Sequence, residues 1–169
     1  MIEAVQFYLD LAREYEAMPE GPQASWSTDP TDFTDGKTAM IAHSSGSLTG
    51  ILSRATFEVG VMPFPGQEPG EYASVTGGGN LYLFKGASPV QQAAAWQFIR
   101  FLTEPERVAD FSIQTGYLPT RQSAFQTPQL ATYLGEVPQA SEIRNALQYA
   151  GTELATQSLN EVHLFSTAT

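Results

Sequence analysis

From the start of the chain, apolar residues recur at helical spacing: Ile2, Val5, Leu9 and Ala12, with Tyr8, Leu11 and Tyr15 beside them. That period predicts a helix over residues 2 to about 17 with one buried face, in register from residue 2, so the chain is expected to begin inside an element. The pattern then breaks. Residues 18–37, MPEGPQASWSTDPTDFTDGK, hold three prolines and many turn formers and predict a loop with a single helical turn near Pro30 to Thr34.

Short apolar runs follow. TAMIAH (38–43), EVGVMPFP (58–65) and NLYLFKG (80–86) predict three strands, and SSGSLTGILSRA (44–55) a serine-capped helix between the first two. Ser88-Pro89-Val90-Gln91 has the form of a capping box with proline at the first helical position, opening a helix to about Leu102. Thr103-Glu104-Pro105-Glu106 repeats that form and opens a second helix that stops near Gly116. From YLPTRQSAF onward the chain reads as helical, broken at Pro119, Pro128 and Pro138, with SLNEVHLFSTA as the last candidate helix. No internal repeat or low-complexity segment is present.

Two features of this map predict an incomplete domain. Three short strands make a thin sheet for so many helices. The helix AAAWQFIRFL presents Ala94, Phe98, Phe101 and Leu102 on one face with Trp96 and Ile99 beside it, more apolar surface than a lone flanking helix covers.

Composition narrows the function classes. The chain is 42% apolar and 15% charged, as in an ordinary globule, and carries a formal charge of −10 that argues against nucleic acid and anionic membrane surfaces as partners. The acids are scattered, as solubility alone requires. There is no cysteine, which excludes disulfides, thiolate metal sites and a cysteine nucleophile. The N-terminal stretch is amphipathic and acidic, without the basic start and apolar core of a secretory signal, so no export signal is expected within this chain.

The two histidines, His43 and His163, lie far apart, and no metal-binding or nucleophile–base arrangement accompanies either. The carboxylate pairs Asp32/Asp35 and Glu104/Glu106 fall in turns and first helical turns, where capping and the helix dipole favour acids. Enzymatic chemistry, phosphoester hydrolysis included, is therefore not expected, and no cofactor is implied. Two stretches fit binding better. Ser44, Ser45 and Ser47 after an apolar run either cap a helix or meet a phosphate or sugar hydroxyl. Gly77, Gly78 and Gly79 precede a strand instead of following one and lack a Lys-Ser/Thr, so they are no P-loop.

AMIAHSSGSL, FEVGVMPFP, TGGGNLYLF and AAWQFIRFLTEPERVADFSIQTGYLPTR, in this order, resemble the family 1 extracellular solute-binding proteins of ABC importers, most closely their glycerol-3-phosphate-binding branch. TGYLPTR with SSGSL carries much of that likeness, which runs over residues 2 to 165 but covers only the C-terminal part of the family pattern. It implies an α/β fold of periplasmic-binding-protein type II, incomplete: mostly second lobe, with a helical segment of the first. Residues 1–73 would be a second-lobe segment, 74–87 a glycine-rich lobe-crossing strand, 88–119 a first-lobe helical segment and 120–169 a second-lobe return.

The likeness implies a periplasmic or extracellular, membrane-associated setting and capture of a glycerol phosphate, glycerophosphodiester or sugar for the importer's membrane subunits. The family's contacting serine, glycine and tyrosine fall on Ser44, Gly78 and Tyr117. Its phosphate-binding arginine falls on His163, a departure, since arginine offers a permanent two-pronged charge and histidine near neutral pH only part of one. The alternative is a truncated, non-binding fragment that self-assembles, for instance as a segment-swapped dimer, or is completed by a separate first-lobe chain.

Overall fold

In the computed structural model, residues 2–18, 24–66 and 68–152 are described; the candidate helix at 159–169 and His163 lie outside them. The chain divides between residues 41 and 42 into two compact units.

The first unit carries helix α1 (Ile2–Arg13) and helix α2 (Thr28–Thr34). The α1 face is only partly covered: Leu9 and Ala12 are half-buried, while Ile2 and Val5 are exposed, contrary to the single buried face that the spacing predicts. Periodicity reports that a helix has an apolar side, but only packing can bury it. The expected turn near Pro30 forms as α2, with Pro30 buried. Past its end Lys37 bridges Asp32 at 2.8 Å and Asp35 at 3.2 Å, so this acidic pair serves the end of a helix.

The second unit is built from helices punctuated by proline. Helix α3 (Leu48–Arg54) follows a one-turn 3₁₀ segment at Ser45–Ser47. Helix α4 (Pro89–Leu102) opens with the expected capping box: Gln91 N–H donates to Ser88 Oγ at 3.4 Å, and Ser88 N–H donates to Gln91 Oε1 at 3.0 Å. Helix α5 (Pro105–Thr115) also starts on proline, but the second capping box does not form. Thr103 Oγ1 instead donates back to the Ile99 carbonyl at 2.9 Å, because the residue already caps the C-terminus of the preceding helix, and Glu104 takes the N-cap position. Helices α6 (Pro128–Glu136) and α7 (Pro138–Ala146) begin on the prolines expected to break helices; a ring at the first helical position loses no hydrogen bond.

The core gathers Val108, Ala109, Ala124 and Leu130, with Ile113, Phe125, Tyr133 and Leu134 packed against it. Ala109 and Ala124 are fully buried and small, which lets α5 approach the 3₁₀ turn Gln122–Gln126 closely. Thr49 Oγ1 donates to the Ile113 carbonyl at 2.9 Å, fastening α3 to α5, and Gln139 Nε2 donates to the Val59 carbonyl at 2.7 Å, fastening α7 to the segment before the sheet.

That sheet differs from expectation. Among the described residues it has two strands, β1 (Ser74–Thr76) and β2 (Ala150–Thr152), paired in parallel with Ser74 opposite Ala150. Tyr72 and Tyr149 pack beside it with ring centroids 5.1 Å apart. None of the three apolar runs forms a strand; 58–65 ends in an isolated bridge from Pro65 to Tyr72. A strand is a ladder, and an extended run without a neighbour has no hydrogen-bonding partner for its backbone. Leu81 to Phe84 are exposed one after another, on both sides of the chain. Such a run is what the centre of a sheet covered on both faces looks like. Helix α4 is uncovered in the same sense: it buries no residue, and Trp96, Phe98, Phe101 and Leu102 are all exposed.

Candidate functional site

Ser44 and Tyr117 are distant in sequence, and the structure brings their segments together. Ser44 caps the 3₁₀ turn: its Oγ accepts from Gly46 N–H at 3.2 Å, and its carbonyl accepts from Ser47 N–H at 3.1 Å. The Gly46 and Ser47 amides are thus spent within the turn, and Ser44 still has a hydroxyl proton to offer, which an oxygen that accepts can donate.

Tyr117 follows Gly116, the left-handed residue that ends α5 at a φ of +96°. A Cβ on Gly116 would lie 2.5 Å from the Ser45 carbonyl oxygen and 2.6 Å from Leu48 Cβ, so this glycine is where the α5 end meets the serine turn. Gly46 completes the contact. A Cβ there would lie 2.3 Å from Tyr117 Cζ, so the tyrosine ring rests on bare backbone. The same ring stacks on Phe111, with centroids 5.7 Å apart and planes 7° from parallel. Two glycines and one aromatic neighbour therefore fix the ring, while Tyr117 stays 43% exposed and within reach of a solute.

Gly46, Gly116 and Phe111 are missing from the expected site set. Gly116 reads in the sequence as a helix stop and Gly46 carries no signal of its own; only the tertiary contact gives them this use. Gly78 lies apart. It sits just past β1 with a φ of +154°, and no atom lies within 4 Å of where its Cβ would be. His163 falls outside the described residues. Among the described residues no cluster of His, Asp and Glu could hold a metal ion, and no helix is long and apolar enough to cross a membrane.

A hydroxyl beside a fixed, half-exposed tyrosine suits recognition of a polar solute, and comparison with known proteins bears on which kind. The family model for bacterial extracellular solute-binding proteins matches residues 2–136. The chain belongs to that family. A relative in Pectobacterium atrosepticum, the sn-glycerol-3-phosphate-binding periplasmic protein UgpB, is 33% identical over 116 residues, 66% of this chain and 26% of its own length. UgpB of Escherichia coli K12 is 33% identical over 96 residues, 55% of this chain and 22% of that protein. Among solved structures, UgpB from Mycobacterium tuberculosis in complex with glycerophosphocholine is similar at a TM-score of 0.68 and 35% identity, over 73% of this chain and 31% of that one. The solute-binding family's type II fold is therefore the fold of this chain, present in part: it spans about a quarter of the curated relatives it matches. The family is one of binding proteins, not enzymes.

Proposed function

We propose that this chain supplies part of the solute-binding component of an ABC importer and that its solute is an organophosphate, a glycerol phosphate or a glycerophosphodiester, with a sugar as the weaker candidate. The observation that carries the reading is the Ser44–Gly46 turn held against the ring of Tyr117, in a chain whose relatives include a glycerophosphocholine complex. Ser44 donates to a phosphate or hydroxyl oxygen, Tyr117 offers its ring and hydroxyl, and Gly78 keeps the crossing segment free of a side chain. His163 takes the place where the family has its arginine. The setting is periplasmic or extracellular, with the importer's membrane subunits as partners of the whole protein.

The lobe assignment belongs to the same reading: residues 1–73 and 120–169 in one lobe, 88–119 in the other, and 74–87 crossing between them. The packing of α3 and α6 on α5 is then the seam that joins the two.

A solute-binding protein grips by closing two lobes, and contacts from a partial clamp bind weakly, with a dissociation constant on the order of 1 mM. At roughly ten times that concentration the ligand adds about 1.4 kcal/mol of stability, a rise of about 3–6 °C in the melting temperature. Thermal denaturation with glycerol 3-phosphate, glycerophosphocholine and maltose is the test. We expect a rise with the two phosphates that Tyr117→Ala abolishes. No rise with any of the three overturns retained binding.

The uncovered apolar face of α4 favours a second reading, in which the chain is completed by another polypeptide. That partner is either a separate first-lobe chain or a second copy exchanging its 88–119 segment.

A further inference from the structure

Helical hydroxyls in this protein find carbonyl partners, several of them along their own helix. Thr34 donates to the Pro30 carbonyl at 2.9 Å, Thr103 to that of Ile99 at 2.9 Å, and Thr115 to that of Phe111 at 2.7 Å, each four residues back. Ser112 breaks that pattern. It lies on the core face of α5 between Ala109 and Gly116 and is only 3% exposed, yet its Oγ has no hydrogen-bond partner. Across from it, on α6, the buried Tyr133 hydroxyl also has none. Buried phenols and hydroxyls nearly always find partners, and two orphans facing one space call for a common explanation.

The space is a small cavity lined by Ser112, Gly116, Tyr117, Leu130, Tyr133 and Ile143, among others. Its volume is about 20 Å³, above the roughly 10–15 Å³ that one water requires. We propose that this cavity is an internal hydration site, holding a single water that accepts from the Tyr133 hydroxyl and donates to Ser112 Oγ. The occupant is a water and not a larger solute, because the remaining walls are largely apolar and the volume admits one oxygen. The water ties α5 to α6 immediately behind the turn that carries Tyr117, so it acts as a positioning element for that residue. The site stands on the cavity and the two hydroxyls alone and does not depend on the identity of the ligand.

A high-resolution crystal structure of the full 169-residue chain tests the site directly. We expect one ordered oxygen within hydrogen-bonding distance of both hydroxyls. A dry cavity, or a direct bond between Ser112 and Tyr133, overturns the proposal. Urea unfolding of Ser112→Ala, Tyr133→Phe and the double variant tests it independently. Each single change strands the other hydroxyl, and should lower the folding constant about fivefold. The double variant strands neither, so its loss should be no larger than a single one. Losses that multiply would mean independent roles and would also overturn it.

Discussion

At Gly116 and Gly46 the absence of a side chain serves two ends that substitution can separate. Alanine at Gly116 would meet the Ser45 carbonyl at 2.5 Å and would have to hold a left-handed backbone, so Gly116→Ala should cost about 2–3 kcal/mol in urea unfolding. The atoms nearest an alanine Cβ at Gly46 belong to the tyrosine ring, and displacing a side chain costs less than displacing backbone. Gly46→Ala should therefore cost less than Gly116→Ala while removing ligand-induced stabilisation. A Gly46→Ala protein that responds to ligand like the parent would detach Tyr117 from binding. The contact itself was not legible in the sequence, since nothing in SSGSL announces which distant residue will rest on its glycine. Ser44 stood out as a candidate from SSGS itself and Tyr117 through family likeness, and Gly78 gains no neighbour in the structure that would link it to them.

Elements were readable where their signals are local. Ser88, Pro89 and Gln91 lie within one helical turn, and their geometry is the predicted one. The same clarity failed at Thr103, where two helices compete for one hydroxyl. It failed most for strands, because a ladder depends on a neighbour that local sequence does not contain. Ala150, Gly151 and Thr152 pair as β2 without any apolar alternation, and NLYLF alternates nothing and joins no strand among the described residues. The α4 cap offers a test at this scale. Ser88→Ala removes a cap of about 1 kcal/mol, but α4 buries no residue. The loss should therefore appear as local opening, about fivefold faster amide exchange at the start of α4, with the global unfolding midpoint unchanged. A shifted midpoint would mean that α4 unfolds together with the core.

For the whole molecule the open issue is what covers α4. Its exposed Trp96, Phe98 and Phe101 make self-association the expected behaviour of the isolated chain. Light scattering after size exclusion should give a mass above the 18.4 kDa of one chain, and Phe98→Asp with Phe101→Asp should return it to one. An unmodified chain that runs as a monomer would sink the segment-exchange reading and leave a separate first-lobe polypeptide as the partner. Charge does not decide between these. The formal value of −10 keeps copies apart at low salt and matters less as screening rises.

The run from Leu81 to Phe84 has a bearing on how such a chain must be handled. Four consecutive exposed apolar residues, in no strand among the described residues, approach the sequence signature of the six- or seven-residue segments that stack copy upon copy into fibrous aggregates. Lys85 follows directly, and a charge at the flank of an unavoidable hydrophobic strand is a gatekeeper, since stacked copies would have to align like charges. At this run the local barrier to stacking is one ammonium group, so acetylation of Lys85 or high salt should raise aggregation at this segment without touching the fold.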